Sequence, residues 1–87
     1  MTDLEQYRQE IDAIDQELTR LVEQRFEVAK KVAAYKRAHA LPVLDSSRED
    51  AVIQRNQERL VRSEYETEIA AFYTGLMAIS RSIQEKM

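Results

Sequence analysis

Cysteine is absent from this 87-residue chain, and histidine, glycine and proline occur once each. Without cysteine there is no disulfide and no thiolate metal site, and one histidine cannot supply the His pair of a zinc site. Any chemistry is therefore organic and metal-free, or the chain only binds. One Gly and one Pro leave almost no turn-forming material, while 44% hydrophobic and 33% charged residues suit amphipathic helices; this points to one all-α domain with no room for a second. No basic stretch followed by an apolar segment opens the chain, and no run approaches the roughly 18 apolar residues of a membrane span. We expect a cytoplasmic protein without a membrane partner. The net charge of −3 argues against a nucleic-acid surface. Lys and Arg do cluster between Arg25 and Arg37, and a local cationic face on an acidic protein suits a small anion better than a polymer.

What is present organises into three helices around one break, Ala38 to Ser47, which holds Pro42. Thr2 and Glu5 have capping-box spacing, and apolar residues then recur at Leu4, Tyr7, Ile11, Ile14, Leu18, Leu21, Val28, Val32 and Tyr35. That is a heptad seam over about five repeats, and it predicts one long helix over about 3–37. Ser46 with Glu49 repeats the capping signature and opens a shorter, more polar helix over about 47–60, whose weak apolar stripe predicts modest burial. Ser63 with Glu66 does so a third time, ahead of Tyr65, Ile69, Phe72, Leu76, Ile79 and Ile83, for a helix over about 64–86. Gly75 inside it costs about 1 kcal/mol relative to Ala.

Length bears on quaternary structure. Some 35 helical residues at ~1.5 Å each make a rod of ~50 Å, whereas a compact monomer of this size has a radius of gyration near 12 Å and spans ~30 Å. The first helix must overhang its own subunit. A second copy related by a two-fold axis is the economical cover for the apolar seam along that overhang.

Some residues break the pattern. Leu4, Ile11, Leu18 and Val32 share one seam position, and the remaining member of that series is Arg25. Taken alone, Arg25 reads as a register device or a snorkelling side chain; buried, it must meet an anion, because an unpaired guanidinium in a core costs several kcal/mol. Lys36 lies eleven residues on, within ~20° of the same face and about 16 Å along the axis, so two long cations project from one side. Ser80 and Gln84 stand four apart beside Tyr73, Met77 and Ile83, putting a hydroxyl and an amide near the inner face of the third helix. Together these four outline a polar pocket inside a helical bundle. Asp45 sits next to the cap of the second helix, with Arg48 and Glu49 in its first turn; alone, Glu49 reads as the capping-box acid. His39 reads as a solvated helix-end residue, and Lys30, Lys31 and Arg37 as a solvated face. No nucleophile stands with a base, and no Gly-rich phosphate cradle exists.

The run from Leu4 to Asp15, then Leu21-Val22-Glu23-Gln24-Arg25, Val32-Ala33-Ala34-Tyr35-Lys36, Pro42 through Glu49 and Ser80-Arg81-Ser82-Ile83-Gln84, in this order, resembles the small all-α chorismate mutases over nearly the whole chain. The resemblance implies one domain over residues 1–87, an intertwined homodimer of three-helix subunits, and no cofactor or metal. It also implies roles. Arg25 of one chain and Arg8 of the other would hold the two carboxylates of chorismate, with Arg48 close by. Lys36 and Gln84 would hydrogen-bond the ether oxygen of the breaking bond. Glu49, Asp45 and Ser80 would line the rest, with Glu49 the partner of the substrate hydroxyl. The polar stretch after the second helix matches less well, and Ser47 stands where relatives often carry an acid or proline. Geometry bears on Arg8 separately: it lies 17 residues before Arg25, ~25 Å along one rod and about 100° around it, so one small ligand cannot touch both in one chain. An antiparallel partner helix could supply a second Arg8.

Chorismate to prephenate is an intramolecular Claisen rearrangement, an isomerisation without nucleophile or net proton transfer. Two other functions compete for the same pattern. Isochorismate pyruvate lyases resemble the same fold and also use cations for a pericyclic step, but Asp45 with Arg48 and Glu49 matches the hydroxyl-binding segment of the mutases. A non-catalytic dimerisation or regulatory module would leave Arg25 without an anion.

Overall fold

The computed structural model describes residues 2–87. Helix α1 spans Asp3–Ala38, α2 spans Ser46–Glu58, and a single 3-10 turn at Ser63–Tyr65 leads into α3, Glu66–Glu85. No strand occurs among the described residues, and no helix there is long and apolar enough to cross a membrane. The chain is all-α, with helix ends within two residues of those read from the sequence.

Helix α1 begins where the sequence indicates. Thr2 Oγ1 accepts the Glu5 backbone N–H at 3.2 Å, and Asp3 and Glu5 place negative charge at the positive end of the helix dipole. Its other end closes by a device with no glycine in it. The Leu41 N–H donates to Lys36 O at 2.8 Å and the Ala40 N–H to Arg37 O at 3.3 Å, the paired bonds of a Schellman motif. Ala40 takes the left-handed position with φ of 54°, at a cost of about 1–2 kcal/mol for a residue with a Cβ. Pro42 follows directly and prevents the helix from resuming. His39, the C-cap, is exposed and stacks on the Tyr35 ring with centroids 4.0 Å apart.

The other two starts differ from expectation. Asp45, not Ser46, caps α2: its Oδ1 accepts the Arg48 N–H at 3.0 Å. Asp is as good a cap as Ser and adds a charge favourable to the dipole, so the start moves one residue towards the N-terminus. Glu49 is then one position too far along to reach back to the cap, and it is released for another partner. The Ser63–Glu66 capping box does not form either. Those residues fall in the 3-10 turn, where the Tyr65 N–H already donates to Arg62 O, and α3 starts without a side-chain cap.

Helix α3 is the element against which both others pack. The buried apolar residues are few: Ala29 and Ala33 from α1, Val52 from α2, Leu76 and Met77 from α3. The seam read from heptad spacing is not the face that packs within the single chain. Val28, Val32 and Tyr35 are exposed, and the face of α1 turned to its own subunit carries Val22, Arg25, Phe26, Ala29, Ala33 and Lys36. A straight helix drifts ~20° per heptad, so over five heptads the stripe facing one direction passes from the seam residues to these. The alanines let α3 approach α1 closely.

Earlier in α1 nothing covers the stripe. Leu4, Tyr7, Ile11, Ile14, Leu18 and Leu21 are 41–63% exposed. The helix projects as an arm, giving a long axis of 56 Å and a radius of gyration of 16.1 Å, against about 12 Å for a compact chain of this length.

Candidate active site

The two ends of the short core define a cleft of about 330 Å³, where the C-terminal half of α1, the start of α2 and the last turns of α3 converge. That volume falls in the range of small-ligand pockets. Val28, Val32, Val43, Val52 and Met77 form an apolar cradle, and the polar groups are set into it at separate points.

From α1 come Arg25 and Lys36, three helical turns apart on the face turned to α3. Both are half-buried. The Arg25 Nη1 donates to Ser80 Oγ at 3.2 Å, and the Lys36 Nζ donates to the Val43 carbonyl at 2.7 Å. Each cation is thus held by a neutral oxygen. The ion pairs among the described residues are Arg20–Glu17, Lys30–Glu27, Arg62–Glu64 and Arg81–Glu49, so neither Arg25 nor Lys36 has a carboxylate. The Schellman turn makes the Lys36 contact possible, because it reverses the chain sharply enough to bring Val43 back over the last turn of α1.

Helix α3 contributes Ser80 and Gln84, one turn apart and only 5% and 9% exposed. The Gln84 Oε1 is buried with no hydrogen-bond partner, the one such side-chain atom among the described residues. A buried amide oxygen left unpaired costs about 1–3 kcal/mol, a deficit that only a hydrogen-bond donor can relieve; turned the other way, the same amide would present its N–H₂ at this point.

Helix α2 brings Asp45, Arg48 and Glu49 to the rim. Asp45 spends one oxygen on the cap. Arg48 lines the cleft with its side chain while its backbone N–H takes that cap bond. Glu49 pairs with Arg81 of α3, a residue that sequence reading quoted but gave no role. Counting cleft residues, four cations meet two carboxylates, and one of those carboxylates is already engaged. The excess is positive although the chain as a whole carries −3.

Seven of the eight residues singled out from the sequence therefore surround one cavity. Arg8 does not. It stands on the exposed arm, about 25 Å from Arg25 along α1, outside the cleft of its own chain. Besides Arg81, sequence reading missed the Val43 carbonyl, which no side-chain pattern could signal. Among the described residues no group of His, Cys, Asp and Glu is arranged to hold a metal ion.

Chemically, the arrangement suits a compact, multiply negative molecule with an apolar body: separated cations for its acidic groups, an amide and a hydroxyl for neutral oxygens, and a carboxylate for a donor. No individual curated protein matches the chain. The profile of the family described as chorismate mutase type II does, over residues 7–85, a span that contains every residue of the cleft as well as Arg8. The chain belongs to the chorismate mutase type II family.

Proposed function

We propose that the cleft binds chorismate and, in a homodimer, turns it into prephenate by fixing its shape and stabilising the charge that develops on its ether oxygen. Membership of the family carries chorismate mutase activity, that of an isomerase of aromatic amino-acid biosynthesis. The residue roles and the dimer are our reading of the site, as is a location in the cytoplasm.

In the rearrangement the C–O bond to the enolpyruvyl side chain breaks while a C–C bond forms across the ring, with six electrons moving in a cycle and no proton gained or lost. An enzyme for it needs no cofactor and no general base. Two things help: holding the flexible dianion in the chair-like reactive conformer, and donating to the ether oxygen as the bond lengthens. Arg25 and Arg48 suit the first task, because a planar guanidinium fixes a carboxylate in angle as well as distance. Lys36 and Gln84 suit the second. They approach from opposite walls, α1 and α3, and their N–H groups can converge on one oxygen. Glu49 and Asp45 at the rim would accept the ring hydroxyl, and Ser80 keeps the Arg25 fork in place.

One observation carries this reading: two half-buried cations in one cleft, Arg25 and Lys36, are each held by a neutral oxygen in place of a carboxylate. Both lack the negative charge that a substrate dianion supplies.

Surface area supports the second copy. A compact chain of 10.2 kDa exposes about 5,300 Å², whereas this one exposes 6958 Å². The excess of about 1,600 Å² per chain, doubled, falls within the range of obligate homodimers. Helices α1 of two copies crossing antiparallel about a two-fold axis near Gln16 and Glu17, midway between Arg8 and Arg25, would bring Arg8 of each copy level with Arg25 of the other. The exposed Ile11, Ile14 and Leu18 flank that point and would form the seam.

Following the loss of chorismate absorbance with purified protein, beside a pyruvate assay on isochorismate, tests the reading. Prephenate formation with no pyruvate release is expected, and the reverse result would assign the cleft to the lyase reaction.

A further inference from the structure

Among the cleft cations, Arg81 is the one that has found a carboxylate. It reaches from α3 to Glu49 Oε2 on α2, 32 residues away in sequence, with the two side chains 29% and 24% exposed. The two side chains are thus mostly shielded from solvent, and the pair ties α2 to α3 at the edge of the cleft. Its geometry has a consequence for the cleft. The Arg81 bond engages one oxygen of Glu49 and leaves the other, Oε1, without a protein partner among the described residues; a carboxylate has lone pairs enough for both neighbours. Released from the helix cap by the shift of the α2 start to Asp45, Glu49 would otherwise be a long side chain free to swing into solvent. The guanidinium tethers one of its oxygens at the cleft wall through a single charge-assisted bond.

We propose that Arg81 is a positioning residue for the rearrangement: it holds the Glu49 carboxylate so that the free oxygen accepts the ring hydroxyl of the substrate, and so selects for substrates that carry that hydroxyl. This rests on the reading of Glu49 as the hydroxyl partner. Arg81 itself need not touch the substrate, and it neighbours Ser80, the anchor of Arg25, so one turn of α3 would set both the carboxylate end and the hydroxyl end of the ligand.

A double-mutant cycle on the full chain tests it, with Arg81→Met, Glu49→Gln, the pair combined and Arg81→Lys, each assayed on chorismate and on its analogue lacking the ring hydroxyl. Arg81→Met is expected to lower kcat/KM for chorismate by about tenfold, the worth of one charge-assisted hydrogen bond, and to change turnover of the deoxy analogue by less than about twofold. The combined variant should be no worse than Glu49→Gln alone, and Arg81→Lys, which keeps the charge without the fork, should fall between. Equal losses on both substrates, or losses that multiply in the combined variant, would overturn the proposal by showing that Arg81 acts independently of Glu49. Full activity on chorismate of Glu49→Ala, which has no side-chain acceptor, would overturn the reading of Glu49 first, and this inference with it. Arg81→Lys completes the same cycle if Arg81→Met does not fold.

Discussion

Arg25 and Ser80 meet across the contact between α1 and α3, the guanidinium Nη1 donating to the hydroxyl at 3.2 Å with no carboxylate beside it. The bond orients the fork without neutralising it, and its charge stays available to a ligand. Ser80→Ala should therefore loosen the fork and leave the charge in place. KM for chorismate is expected to rise about fivefold, the worth of ~1 kcal/mol, with kcat changed less. A Kd for chorismate equal to that of the wild type, by calorimetry, would remove Ser80 from this role.

Lys36 is held at rest by the Val43 carbonyl, a neutral acceptor for which an oxygen of a ligand in the cleft would compete. On the proposed role, Lys36→Ala removes a donor to charge that appears only in the transition state. The expected loss is ~3–4 kcal/mol, mostly in kcat. Near-native turnover of the variant, measured at saturating chorismate, would refute the assignment.

Gln84 is neutral at every relevant pH, so its hydrogen bond does not titrate. In Gln84→Glu the introduced carboxyl donates only while protonated, and burial at this position raises the pH at which it ionises. Turnover should accordingly be retained in acid and lost as pH rises through that ionisation. A variant pH–rate profile that parallels the wild type would place Gln84 away from the reacting oxygen.

Much of this was legible in the sequence. Helix α1 was, because its cap, its periodicity and the absence of Gly and Pro over 36 residues all agree. The overhang followed from length alone. Seven of the cleft residues were found because each is a polar group where the stripe predicts an apolar one, or lies in a resembling motif. What escaped has physical reasons. Ala29 and Ala33 form the contact with α3, but an alanine weighs little in any hydrophobic pattern, so the larger Val28 and Val32 drew the seam to themselves. Asp45 and Ser46 are adjacent and both good caps, so the capping-box spacing of Ser46 hid the added charge–dipole gain that favours Asp45. The Schellman turn at Ala40 carries no glycine to announce it. Arg81 stood in a resembling motif without a role, because its partner is 32 residues away.

Gly75 offers a prediction about stability. A Cβ built there meets nothing within 4 Å in the single chain, and its φ is not in the left-handed region. Gly75→Ala should stabilise the helix by about 1 kcal/mol and raise Tm by about 4–8 °C, without changing kcat. A fall in Tm on thermal scanning would show instead that the second subunit packs closely against this face of α3.

The central claim is that each site is built by two chains, Arg25 from one and Arg8 from the other. Subunit mixing measures it directly. Arg8→Ala and Arg25→Ala homodimers each lack one arginine at every site, and both should be nearly inactive. Unfolded together and refolded in equal amounts, half the dimers are mixed, and each mixed dimer holds one site with both arginines intact and one with neither. Activity should return to about one quarter of the wild-type value per site. No recovery, with mixed dimers verified by mass spectrometry, would contradict the shared site.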